Sequence, residues 1–174
     1  MCKNLKADFD RYKAQSIKEK IYVLFEQGFW AVAVYRLGRW TANLRIPVIG
    51  FILRFVAFLL FKMIEMTTGI SIPASARIGK GFYVGHFGGI VLHSDVVMGE
   101  NCSIGPGVLI GTRGLGNRGV AVIGDNVYIG VGAKVLGRIT IGNNVKIGAN
   151  AVVVSNLPDG ATAVGIPARI VAKA

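Results

Sequence analysis

With 174 residues, 52% of them hydrophobic and only two cysteines, the chain has apolar material for one domain plus an appendage and too little sulfur for a disulfide framework. Its net charge of +11 invites a nucleic-acid reading, yet residues 1–69 hold eleven Lys and Arg against five acids and residues 70–174 nine against four. An excess spread so evenly, with no basic and aromatic block, argues against nucleic acid and suits an anionic membrane surface or cofactor phosphates.

Residues 1–20 scatter Lys3, Lys6, Arg11, Lys13, Lys18 and Lys20 among apolar positions. No apolar stretch with a small-residue cleavage site follows directly, so the chain is expected to stay in the cytoplasm. From Ile21 to Leu44, aromatic and aliphatic residues mix with Glu26, Arg36 and Arg39, and Pro47 limits a helix beyond them. One helix is expected there.

Ile46 to Ile64 is the most apolar run, interrupted by Arg54 and Lys62. A cation near the centre of a bilayer costs about 2.5–3.5 kcal/mol, so a clean membrane span is disfavoured. On a helix, Arg54, Lys62 and Glu65 fall within roughly 80° of arc. The remaining apolar surface must be covered, by lipid or by an oligomer. The chain thus divides into a helical, apolar and basic segment, 1–69, and a repeat domain, 70–174.

The repeat domain keeps a six-residue step of aliphatic residues, usually followed by Gly: Ile72, Ile78, Val84, Met98, Ile104, Ile110, Ile123, Ile129, Val135, Ile141, Ile147 and Val153. Four residues further on comes a second small or apolar residue, including Cys102, Val108, Val127, Ala133, Val145 and Ala151. Three residues on comes Asn101, Gly107, Asn126, Gly132, Asn144, Asn150 or Asn156, types that accept a left-handed backbone. A helix of 3.6 residues per turn cannot hold a six-residue step on one face, but short strands joined by tight turns can. The pattern predicts a mainly β fold, a left-handed parallel β-helix of hexapeptide repeats behind an N-terminal α-helical segment. Cys102 then belongs to the core.

Two places break the step. Val84 and Met98 are two residues too far apart, and His86, Phe87, Gly88 and Gly89 lie in that slip. Seven more residues enter between Ile110 and Ile123, predicting a projecting loop over 112–120. His86 and His93 are the only histidines. The glycines around His86 permit close backbone approach, and the N–H groups of Gly88 and Gly89 are candidates to meet a developing oxyanion. No Ser-His-Asp spacing, metal-ligand cluster or P-loop is present, which argues against hydrolase, metalloenzyme and nucleotide-binding classes.

From Ser71 to Val171 the sequence resembles the hexapeptide acyltransferases, most closely serine O-acetyltransferases and their relatives in bacterial polysaccharide synthesis. The resemblance rests on the repeat, on His86 to Val91 as an H-x-x-G-I-V phrase, and on Gly165 to Arg169 as the counterpart of the family's G-V-P-A-[KR]. Gly28 to Trp40 looks like the helical lead-in of that family. It implies an acetyl-CoA-dependent O-acetyltransferase that uses no metal, with His86 as general base. It also implies a homotrimer binding CoA between adjacent chains, with Val131 and Ala149 against the pantetheine and Arg169 and Lys173 toward the phosphates. No family motif maps onto His93, which is placed with Gly88 and Gly89 in the acceptor region.

Four departures bear on the acceptor. Ser71 stands where serine acetyltransferases have an Asp that orients the catalytic His, the loop reads Asn117-Arg118-Gly119-Val120 in place of D-R-H-P, Gly85 precedes His86 where Asp is common, and the helical region is short. These favour a sugar hydroxyl of a lipid-linked or nucleotide-linked polysaccharide precursor, handled by an enzyme peripheral to the inner membrane. The alternatives are a serine O-acetyltransferase of cysteine biosynthesis and a non-catalytic β-helix scaffold.

Overall fold

The computed structural model describes residues 2–173 except 115 and 117, and the side chain of Lys173 also lies outside the described residues. Four helices lead: α1 (Cys2–Asp10), α2 (Ile17–Phe25), α3 (Gln27–Ala42) and α4 (Pro47–Thr68). The single helix expected over Ile21–Leu44 is therefore two. Glu26, at φ −70° and ψ 120°, closes α2 and opens α3. The break lets α3 lie against the coil, where a Cβ on Gly28 would collide with the Val84 carbonyl oxygen.

Within the helical segment expected over 1–69, local pattern places no separate helix at α1, because a long-range ion pair holds it. The buried Asp8 carboxylate accepts from Arg36 Nε of α3 at 2.8 Å and from the Phe82 N–H at 2.8 Å. Arg36 also donates to the Ile78 and Gly79 carbonyl oxygens. Helix α4 starts with Pro47 in its first turn and ends at Gly69 (φ 67°), whose N–H donates to the Glu65 carbonyl. Its buried stripe is Gly50, Ala57, Ile64 and Thr68, and it packs chiefly on α3.

Among the described residues fourteen short strands then wind a triangular parallel coil, β1 (Ile70–Ser71), β2 (Arg77–Ile78) and β3 (Tyr83–Val84) making the first turn. Face A stacks β1, β4 (Ile90–Leu92), β7 (Leu109–Gly111), β10 (Lys134–Leu136) and β13 (Val152–Val153). Face B stacks β2, β5 (Val97–Met98), β8 (Val122–Ile123) and β11 (Thr140–Ile141). Face C stacks β3, β6 (Ser103–Ile104), β9 (Tyr128–Ile129), β12 (Lys146–Ile147) and β14 (Ala161–Val164), and β15 (Arg169–Lys173) closes it antiparallel.

The six-residue step is the set of inward columns. On face A, Leu92, Ile110, Val135 and Val153 are paired in register; on face C, Val84, Ile104, Ile129, Ile147 and Ala163 are. All are buried. Asn101, Asn126, Asn144 and Asn150 take φ of 56–57° and Gly107 and Gly132 take 71°, as the turn chemistry predicts. Asn156 does not adopt the left-handed conformation. The last coil is cut to four residues between Val153 and Leu157, and the Asn156 side chain instead accepts from the Thr140 N–H at 2.8 Å. Cys102 is fully buried and its thiol is pushed up to about 11 by burial, so it is core and no nucleophile.

Candidate active site on one edge of the coil

Where face C turns into face A, the ordinary corner is three residues: Gly105-Pro106-Gly107, Gly130-Val131-Gly132 and Gly148-Ala149-Asn150. These corners stack through backbone bonds, Gly107 N–H to Gly88 O, Gly132 N–H to Pro106 O and Asn150 N–H to Val131 O, each 2.8 Å. Stacking this close excludes side chains: a Cβ on Gly105 would lie 2.9 Å from Val131 N, and one on Gly130 2.8 Å from Ala149 N. The pairing aligns Gly88 with Pro106, Val131 and Ala149, so the two extra residues in the first corner are His86 and Phe87. The insertion lifts both side chains outward, and both are exposed.

The same edge carries the other expected residues. From Gly88 to Ala149 is three coils, about 14 Å at 4.7–4.9 Å each, comparable with an extended arm of about four residues' length. The N–H groups of Val131 and Ala149 have no acceptor among the described residues. Next along the edge, Val164 Cγ1 lies 2.7 Å from where a Gly148 Cβ would be, and Arg169 pairs with Val164. Arg169 thus stands at the far end of the line that His86 begins. Lys173 follows on the same strand, its side chain outside the described residues.

Two expectations need correction. Gly88 cannot offer its N–H to an oxyanion, because it donates to the Thr68 carbonyl at the end of α4 (3.0 Å). The Gly89 N–H has no such acceptor among the described residues, so one of the two donors remains. His93 is not brought to His86 either. It lies beyond β4 at the opposite end of face A, and its Nδ1 accepts from the Asp95 N–H at 3.2 Å.

Sequence reasoning placed Glu65 in the polar stripe of α4 and gave it no role at the site. Its carboxylate accepts from Ser71 Oγ at 2.6 Å and from Lys62 Nζ at 2.6 Å, bonds that hold it below the ordinary glutamate range. The corner carrying His86 docks beside it, through Gly88 N–H to Thr68 O and Ile90 N–H to Gly69 O. The only signal in the sequence was an acid six residues before Ser71, at the end of a helix. Among the described residues there is no cluster of three or more His, Cys, Asp or Glu placed to hold a metal.

Residues 121–155 match the family described as bacterial transferase hexapeptide (six repeats). The serine acetyltransferase of Helicobacter pylori strain J99 is 37% identical over 152 residues, covering 87% of this chain and 85% of the relative. That of Synechococcus elongatus is 35% identical over 145 residues, 83% of this chain but 57% of the relative. The chain spans little more than half the length of such longer relatives. The crystal structure of the Brucella abortus serine acetyltransferase in complex with coenzyme A superposes with a TM-score of 0.82 at 28% identity, over 99% of this chain and 68% of that one. These relatives overturn the sugar hydroxyl as acceptor. The inference rested partly on a charge missing at Ser71, and the Ser71 hydroxyl is in fact bonded to a carboxylate, that of Glu65. With its left-handed parallel β-helix, helical lead-in and His86 corner, the chain belongs to the serine acetyltransferase family of hexapeptide-repeat transferases.

Proposed function

We propose that the chain is a serine O-acetyltransferase using acetyl-CoA, with His86 as general base. The observation that carries this reading is the single edge joining His86, the free N–H groups of Val131 and Ala149, and Arg169. Pantetheine extends along the corners, its amides meeting those N–H groups, while Arg169 and Lys173 serve the phosphates. The thioester is thereby delivered to His86.

The serine hydroxyl gives its proton to the His86 imidazole as its oxygen attacks the thioester carbonyl. The Gly89 N–H donates to the tetrahedral oxyanion. Collapse breaks the C–S bond, the departing CoA thiolate takes the proton from His86, and O-acetylserine and CoA leave with the imidazole neutral again.

A homotrimer completes the site. Three concavities of about 350–460 Å³ lie among the helices and where they seat on the coil, and His86, which is exposed, lines none of them. A neighbouring coil supplies the wall over His86. The enzyme works in the cytoplasm.

The test is CoA release from acetyl-CoA with and without L-serine, paired with light scattering. Serine-dependent release by a trimer, lost in His86→Ala, is expected. No serine-dependent release, or an active monomer, overturns the reading and returns the non-catalytic scaffold.

A further inference from the structure

We propose that the outward face of α4 is a docking surface for an anionic phospholipid bilayer, on which the helix lies in the plane of the headgroups. Seated on α3 by Gly50, Ala57 and Ile64, α4 turns the rest of its circumference out of the fold. At 100° per residue, Phe55, Met66, Leu59, Ile52, Met63 and Val56 fill about 100° of arc without a charge. Each is exposed, from 42% for Val56 to 79% for Met66. With Val48, Ile49, Phe51 and Phe58 the apolar surface is on the order of 1,000 Å², against the few hundred usual for a soluble monomer.

Charge decides the occupant. Along one border of this arc run Lys62 and Arg54, and the exposed Arg45 lies just before the helix. A second copy laid on this arc would set the cationic border of one helix, Arg54 and Lys62, beside that of the other. Anionic headgroups instead receive the remaining N–H groups of Arg54, whose Nε donates to the Gly50 carbonyl, and of Lys62, which also pairs with Glu65, while the apolar arc enters the acyl boundary. Helix α2, also packed on α3, exposes Tyr22 and Phe25 at 70% beside Lys18 and Lys20, a second patch of the same chemistry. A span is not implied, since α4 is held to α3 along its length.

The experiment is co-sedimentation of the full chain with phosphatidylglycerol–phosphatidylcholine vesicles, against phosphatidylcholine alone, at low and high salt. The wild type is expected in the pellet with anionic vesicles, less so at high salt, and Phe55→Asp with Leu59→Asp should cut the bound fraction at least about tenfold. Leu59→Ser is a milder variant of the same surface, and melting curves check that both fold. Absence of the wild type from the anionic pellet at low salt overturns the proposal, as does undiminished binding by the variants. So does a wild type indifferent to vesicles whose mass falls in the variants, which assigns the face to a second copy. No outcome depends on acetyl transfer, so failure here and failure of the serine reading are separately visible.

Discussion

Ser71 Oγ donates to Glu65 Oε1 at 2.6 Å, joining the first strand of the coil to the last turn of α4 where the His86 corner docks. A general base works best when a fixed partner orients its ring, and the Glu65 carboxylate sits on the helix end to which the His86 corner is bonded through Gly88 N–H and the Thr68 carbonyl. Glu65→Gln is expected to lower kcat by about 10–100-fold with little change in the KM for acetyl-CoA. Adding Ser71→Asp should restore much of the loss by returning the charge to the neighbouring strand. A double variant no better than the single one would reduce Glu65 to a structural tether.

The Glu65 carboxylate also has a pH signature. Its bonds from Lys62 and Ser71 depress its folded value, so their contribution is complete above the unfolded glutamate range and is lost as pH falls through the folded one. Melting temperature in acid should therefore fall less steeply in Glu65→Gln than in the wild type.

His86→Ala should lower kcat by about 10²–10⁴-fold while leaving the melting temperature within a degree or two, because His86 belongs to the inserted part of its corner and fills no inward column. His93→Ala should keep most activity, since that ring is engaged with Asp95 at the other end of face A. Steady-state kinetics of the two variants together checks both.

The coil was legible because its constraints are local and repeated: each inward aliphatic recurs after six residues and each left-handed corner demands Asn or Gly. The displacement of His86 was legible for the same reason, as two residues too many. What escaped was long-range. Nothing near Asp8 in sequence announces that Arg36, twenty-eight residues on, will bury it, so α1 had no visible anchor. Nor does local pattern say that Gly88 spends its N–H on Thr68, or that a helix-end Glu65 reaches Ser71. The acceptor was misjudged on the same ground: Ser71 was weighed by its own side chain, without the carboxylate that folding sets beside it.

Burial pushes the Cys102 thiol up to about 11, so it stays neutral in the folded chain at pH values where an unfolded thiol ionises. Its contribution is present below the unfolded thiol range and fades as pH rises toward the folded value. Iodoacetamide near pH 8 should label the exposed Cys2 and spare Cys102 until denaturant is added. Mass spectrometry of digests reads this directly, and equal labelling would mean that the second coil opens.

The Asp8–Arg36 pair should be the most sensitive point of the helical lead-in. Both side chains are almost fully buried, and Arg36 alone joins α3, α1 and two carbonyls of the first coil. Removing one partner leaves the other charged in an apolar setting, which costs about 3–5 kcal/mol, whereas an exposed pair is worth at most about 1. Asp8→Asn keeps the shape and loses the charge, so it should lower stability by an amount in that range and release α1. Lys62→Ala, which breaks the exposed pair with Glu65, should cost far less. Urea unfolding of the two variants compares them, and equal midpoints would show that α1 is not needed to hold α3 on the coil.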